Sequence, residues 1–218
     1  MTQLRVVLSD INAKVVQAWI SAFADTPEVE IVKGSIINQQ VDAWVSPTNS
    51  HGLMSGGVDA VILRHLGPGI QLRVQHAIRD EFKGVLPVGA AVCVPSGAAN
   101  PKYLISTPTM YHQTENVRET LNVALACAAA FQAIHMQNER EPGSIASVAL
   151  VGMGAATGKV PPQVCANLMW AGYTLFGESA FDDYAELTAT VSEQLGDIET
   201  RPATARVRIV PPAARRRR

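Results

Sequence analysis

Cysteine, long apolar runs and positive charge in the body of the chain are all scarce here, and each shortage excludes a class. The three cysteines, Cys93, Cys127 and Cys165, stand 34 and 38 residues apart and match neither a disulfide framework nor a zinc-ligand pattern. They read as small buried hydrophobes in a reducing compartment. The longest apolar run, Ala124 to Ile134, is about half the ~20 residues that span a bilayer. The start, Met1-Thr2-Gln3-Leu4-Arg5, lacks the apolar stretch of a signal peptide. A cytoplasmic protein with no membrane partner is therefore expected. The 16 glycines and 13 prolines follow no period, which removes collagen-like and low-complexity classes. His51, His65, His76, His112 and His135 show no metal-ligand spacing, so no metal is expected.

A net charge of −1 conceals an uneven distribution. Seven arginines and no acid fall in residues 201–218, which leaves residues 1–200 with 11 basic and 19 acidic groups, a net −8. An acidic body argues against a broad nucleic-acid face, because phosphate contacts need clustered Lys and Arg. The basic end reads as a solvated, disordered tail over residues 199–218, with a domain before it at 1–198.

At 218 residues, 47% hydrophobic and 17% charged, the chain is long enough to bury a core without staples. Its apolar pattern alternates between strand and helix. Strands are expected at Leu4–Leu8, Val29–Val32, Ala43–Val45 (ended by Ser46-Pro47), Ala91–Val94, Tyr103–Ser106 and Ser147–Val151. Helices are expected over Ala13–Phe23, with Val15, Val16, Trp19, Ile20 and Phe23 on one stripe, to Leu66, over Gln71–Phe82, Asn116–Gln137 and Pro162–Phe176, and at 182–195. Such alternation predicts an α/β fold, a central sheet with helices on both faces. Trp19, Trp44 and Trp170 read as packing residues.

Ligands of open α/β sheets sit beyond the carboxyl ends of the strands, and two loops rich in small residues fit that place. One runs from Ser46 to Asp59 and contains Gly52, Gly56 and Gly57; the other runs from Val151 to Pro161 and contains Gly152, Gly154 and Gly158. Small residues let backbone approach a ligand, and a helix N-terminus offers free N–H groups to negative charge, so each loop is a candidate phosphate cradle. Two facing cradles suit a diphosphate; tight turns alone explain the glycines equally well. Familiar nucleotide motifs fail on count. A Walker loop ending in Gly158-Lys159 needs glycine at 153 and Ser or Thr at 160, where Met153 and Val160 stand, and Gly152-x-Gly154 needs a glycine at 157, where Thr157 stands.

What does fit is a combination: Val-Glu-Ile-Val-Lys-Gly-Ser-Ile at 29–36, Val-Asp-Ala-Trp-Val-Ser-Pro-Thr-Asn at 41–49, Ser-Gly-Gly-Val-Asp at 55–59, and the glycine loop at 152–158. In these the chain resembles a macrodomain, the ADP-ribose-binding family, over roughly residues 4–178. The resemblance implies a three-layer α/β/α fold with a central mixed sheet. It implies that Ser35, where the family has an adenine-binding Asp, and Ile36 meet the adenine. The amides of Gly56, Gly57 and Val58 would meet the diphosphate or distal ribose, with Gly152, Gly154, Ala155, Ala156, Thr157 and Gly158 wrapping the diphosphate from the other side. Asn49 would hold the distal ribose. Asn49 and Asp59 are ten residues apart across the glycine run, as in the MacroD-type branch that hydrolyses ADP-ribosyl linkages. Asp59 would then orient or deprotonate a water beside the anomeric carbon as general base. A first-turn carboxylate also stabilises a helix dipole with no catalytic role, so a hydrolase and a non-catalytic reader of ADP-ribosylated protein or nucleic acid both stay open. Ser46 replaces the usual Asn, Ser55 interrupts the glycine run, and the second loop lacks the family's aromatic residue. No cofactor is implied.

Overall fold

Strand and helix alternate from the first described residues onward. The computed structural model describes residues 4–178; the helix expected at 182–195 and the basic tail lie outside them. Arg5–Asp10 forms β1, Ala13–Ala22 α1, and Val29–Lys33 β2, which a short 3-10 turn at Ile36–Asn38 follows. Ala43–Asn49 forms β3, Gly57–Leu66 α2, Gly69–Phe82 α3, Val92–Pro95 β4 and Tyr103–Met110 β5. Asn122–Arg140 forms α4, Ser147–Leu150 β6 and Pro162–Glu178 α5.

The six strands make one sheet in the order β2-β1-β6-β3-β5-β4. Neighbours run parallel except β4 and β5, which are antiparallel. This is the expected mixed sheet. One face packs α1, α4 and α5 around Trp19, Cys127, Phe131 and Met169. The other packs α2 and α3 around Trp44, Ile62, Ile70 and Val74, so the architecture is three-layered, helix on sheet on helix. Cys127 and Cys165 are buried as expected and Cys93 only partly so; burial pushes all three thiols up, consistent with inert packing residues. Among the described residues no helix is long and apolar enough to cross a membrane.

Four expectations need correction. β3 does not stop at Ser46-Pro47 but continues to Asn49. Proline is tolerated there because β6 pairs with β3 only at Ala43 and Trp44, leaving that side of the strand without a ladder beyond them. β5 extends likewise, so Thr107 is a sheet residue whose hydroxyl lies 3.1 Å from Ala90 O and 3.2 Å from Ala126 O. α4 starts at Asn122 rather than Asn116, because Val117 N donates to Gly158 O at 3.0 Å and Thr120 folds back on Val117 O, a tertiary pairing that overrides helix propensity. Ile20 leaves the buried stripe of α1 and is half-exposed, Ala18 taking its place in the core.

The layering places the crevice. The 3-10 turn after β2 and α2 after β3 leave toward one face, with Ile36 and Ile62 in its core. The helices after β1, β5 and β6 leave toward the other. Chains that diverge in this way open a cleft along the carboxyl edge of the sheet, from β2 across to β3.

Candidate functional site

Because β6 lies beside β3 in the sheet, the loops leaving these two strands start as neighbours although they are far apart in the chain. Gly57 opens α2 with a φ of +55°, a left-handed conformation that glycine adopts freely. A Cβ placed on it would stand 3.8 Å from Thr157 Oγ1, so the first and second loops face each other across a gap one side chain wide. Gly56, Gly57, Ala156 and Thr157 are all exposed at this gap.

Its walls are largely backbone. The N–H groups of Gly57, Val58 and Asp59, at the start of α2, have no acceptor among the described residues, and neither do those of Ala156 and Thr157 on the rim of the second loop. The first set is the ordinary surplus of a helix N-terminus, with the positive end of the helix dipole behind it. Backbone N–H groups without an acceptor among the described residues thus occur on both loops that border the gap.

Not every small residue of the second loop faces the gap. Gly152 N donates to Asp10 Oδ2 at 3.0 Å, and a Cβ on Gly152 would lie 2.8 Å from Val15 Cγ1. Gly154 (φ +69°) accepts from Val160 N at 3.1 Å. A Cβ on Gly158 would lie 2.7 Å from Val117 Cγ2 and 2.8 Å from Gly154 O. These three glycines fold the loop upon itself, and Ala155, Ala156 and Thr157 form its outer rim.

Asn49 ends β3 and Asp59 lies in the first turn of α2, and the two side chains bond to different partners. The Asn49 side chain is 4% exposed and shapes the first loop. Its Nδ2 donates to Leu53 O at 2.8 Å, and its Oδ1 accepts from His51 N at 3.1 Å and Leu53 N at 3.3 Å. Asp59 turns toward the sheet, where the Ser46 hydroxyl donates to its Oδ1. Burial pushes the Asp59 carboxyl up to about 6, and the Ser46 and Thr48 hydroxyls pull it back down. Thr48 Oγ1 is buried and makes no hydrogen bond of good geometry, so its influence on Asp59 is weaker than that of Ser46.

The sequence reading missed the segment that joins the two loops. Residues 111–121 leave β5 and cross to α4. Gln113 Nε2 donates to Ser55 Oγ at 2.6 Å on the first loop, while Val117 fills the socket made by Gly154 and Gly158 on the second. His51, Tyr111 and His112 pack as three rings beside it, with centroids 4.5–6.0 Å apart. In the sequence Ser55 reads as an interruption of the glycine run, and Val117 lies inside the stretch expected to be helix from Asn116.

At the other end of the crevice, Ser35 precedes the 3-10 turn in an extended conformation with no capping bond from its side chain. Ile36 is buried in the core.

Comparison with known proteins accords with this geometry. The family model described as Macro domain matches residues 45–169. An uncharacterised protein of Aquifex aeolicus is 36% identical over 147 residues, covering 65% of this chain and 78% of its own length. Two further curated relatives are matched over less than half of their own length. Among solved structures, the macrodomain of Mycobacterium tuberculosis DarG superposes with a TM-score of 0.54 at 20% identity, over 64% of this chain and 86% of that one. Thermosipho africanus DarTG in complex with ADP-ribose gives 0.52 at 14% identity, over 75% of this chain and 48% of that one. At these identities the structural likeness speaks for the fold.

Proposed function

The chain belongs to the Macro domain family, and from that membership we propose that it binds ADP-ribose and hydrolyses mono-ADP-ribosyl linkages on modified targets, as the MacroD-type branch does. The observation that carries the binding half is the approach of Gly57 to Thr157, which sets two rows of unpaired amides over one anion. The diphosphate lies between them. Backbone donors serve an acidic body well, since they bring positive potential without lysine or arginine.

For the chemical half, the distal ribose rests on the first loop, which Asn49 shapes from within. Water attacks the anomeric carbon as the bond to the target oxygen breaks; a modified acidic side chain leaves as its carboxylate. Asp59, poised by burial at about 6, orients this water and takes its proton as general base.

A second reading has one observation in its favour. Asp59 is 7% exposed and held by Ser46, an arrangement that also suits a brace for the start of α2, and a protein with that brace alone is a reader of ADP-ribosylated partners. Incubation with a substrate auto-ADP-ribosylated on acidic residues separates the two. Loss of label with the wild type but not with Asp59→Ala, both binding ADP-ribose by calorimetry, supports the hydrolase. Label retained by both, with binding intact, supports the reader.

A further inference from the structure

Ser35 is a weak stand-in for a carboxylate, yet the fold brings a carboxylate to the same end of the crevice. β1 lies between β2 and β6 in the sheet, with Asp10 opposite Lys33 at its carboxyl end. Its carbonyl accepts from Gly34 N at 3.0 Å, and Ser9 Oγ donates to Gly34 O at 3.1 Å. Asp10 is thereby fixed beside the Gly34-Ser35-Ile36 corner. Its side chain reaches the other way, Oδ2 accepting from Gly152 N at 3.0 Å and Oδ1 from Asn12 N at 2.7 Å. Asp10 thus ties the Ser35 corner, through its carbonyl, to the root of the second loop, through its carboxylate.

A carboxylate has about four acceptor positions, and two are used here. Asp10 is only partly buried, and the other acceptor positions of its carboxylate have no hydrogen-bond donor among the described residues. The next residue adds a second, independent feature. Ile11 is 75% exposed, the most exposed of the large hydrophobic side chains among the described residues. An aliphatic side chain held in water beside a carboxylate is what the face and edge of a purine need together. The family model begins at residue 45, so this part of the crevice comes from a segment outside that match.

We infer that Asp10, rather than Ser35, accepts the hydrogen bond from the exocyclic amine of the bound base, and that Ile11 covers one face of that base. This rests on the ADP-ribose reading above. A charge-assisted bond of this kind, partly screened by solvent, corresponds to about a tenfold preference for an amino-bearing base over its 6-oxo analogue.

The test compares calorimetric affinities for ADP-ribose and inosine diphosphate ribose, which differ in that group. Wild type is expected to prefer ADP-ribose about tenfold, Asp10→Asn to lose the preference mainly through weaker ADP-ribose binding, and Ser35→Ala to keep it. Ile11→Ala, at an exposed position, is expected to weaken both ligands by a similar factor. Equal affinity of the wild type for the two ligands, preference retained in Asp10→Asn, or preference lost in Ser35→Ala would each overturn the role of Asp10. Equal losses for both ligands in Asp10→Asn would reduce it to a brace for Gly152, and an unchanged Ile11→Ala would remove the cover. No binding of ADP-ribose by the wild type is a different failure, that of the function proposed above.

Discussion

The Ser46 hydroxyl donates to Asp59 Oδ1 where Ser46 is fully buried and Asp59 nearly so. A carboxyl pushed up to about 6 by burial binds its proton more readily in the folded chain than in the unfolded one, where it titrates near ~3.9. The contribution of Asp59 is therefore most favourable below about pH 4 and is lost as pH rises through about 6, a difference on the order of 2–3 kcal/mol. Asp59→Asn carries no charge to bury, and its amide can donate toward the unpaired Thr48 Oγ1. The melting temperature of this variant minus that of the wild type is expected to rise between pH 4 and 6.5 and then level off. A difference that stays flat across this range would mean that Asp59 titrates normally.

Asn49 ties three backbone groups of the first loop together from a site that water barely reaches. Asn49→Ala leaves His51 N and Leu53 N without an acceptor, while Leu53 O keeps the Gln113 side chain as donor, a cost of about 1–3 kcal/mol. Asn49→Asp keeps the acceptor for His51 N and Leu53 N but sets an oxygen against Leu53 O. Both variants are expected to unfold at lower denaturant and to bind ADP-ribose more weakly. Binding lost at unchanged stability would instead indicate direct contact between the Asn49 amide and ligand.

The alternation of elements was legible because each buried strand is a short apolar run and each helix a 3.6-residue stripe. What escaped reading depended on neighbours. Pro47 punctuates a strand in sequence, yet it sits within one because β6 has already parted from β3. The residues from Asn116 read as helix, but Val117 bonds to Gly158 instead. The two loops announced themselves by their small residues, whereas the division of labour among those residues did not. Gly152 gives its N–H to Asp10 across the sheet, and no local pattern encodes that pairing. The burial of Asp59 against Ser46 is likewise a product of strand register.

Gly57 and Gly56 separate conformational from ligand effects. Gly57 sits at φ +55°, so Gly57→Ala incurs about 1 kcal/mol of backbone strain and projects its methyl toward Thr157 across the gap. Gly56 is extended and a Cβ there meets nothing within 4 Å, so Gly56→Ala is expected to melt close to the wild type. If the diphosphate lies between the loops, Gly57→Ala weakens ADP-ribose binding by about tenfold, beyond what its modest instability explains. Unchanged affinity would place the anion elsewhere along the crevice.

Gly158 and Val117 join the second loop to the crossing segment, and their coupling can be measured. A Cβ on Gly158 meets Val117 Cγ2 at 2.7 Å and Gly154 O at 2.8 Å, so Gly158→Ala overpacks the socket at a cost of about 1–3 kcal/mol. Val117→Ala costs a comparable amount by emptying the same socket. In the double variant the new methyl occupies part of the space vacated, while its contact with the Gly154 carbonyl persists. Denaturant melts are therefore expected to give a combined loss smaller than the sum of the single losses by at least about 0.5 kcal/mol. Simple additivity would show that the clash with backbone dominates and that Val117 is not the wall against which the second loop is held.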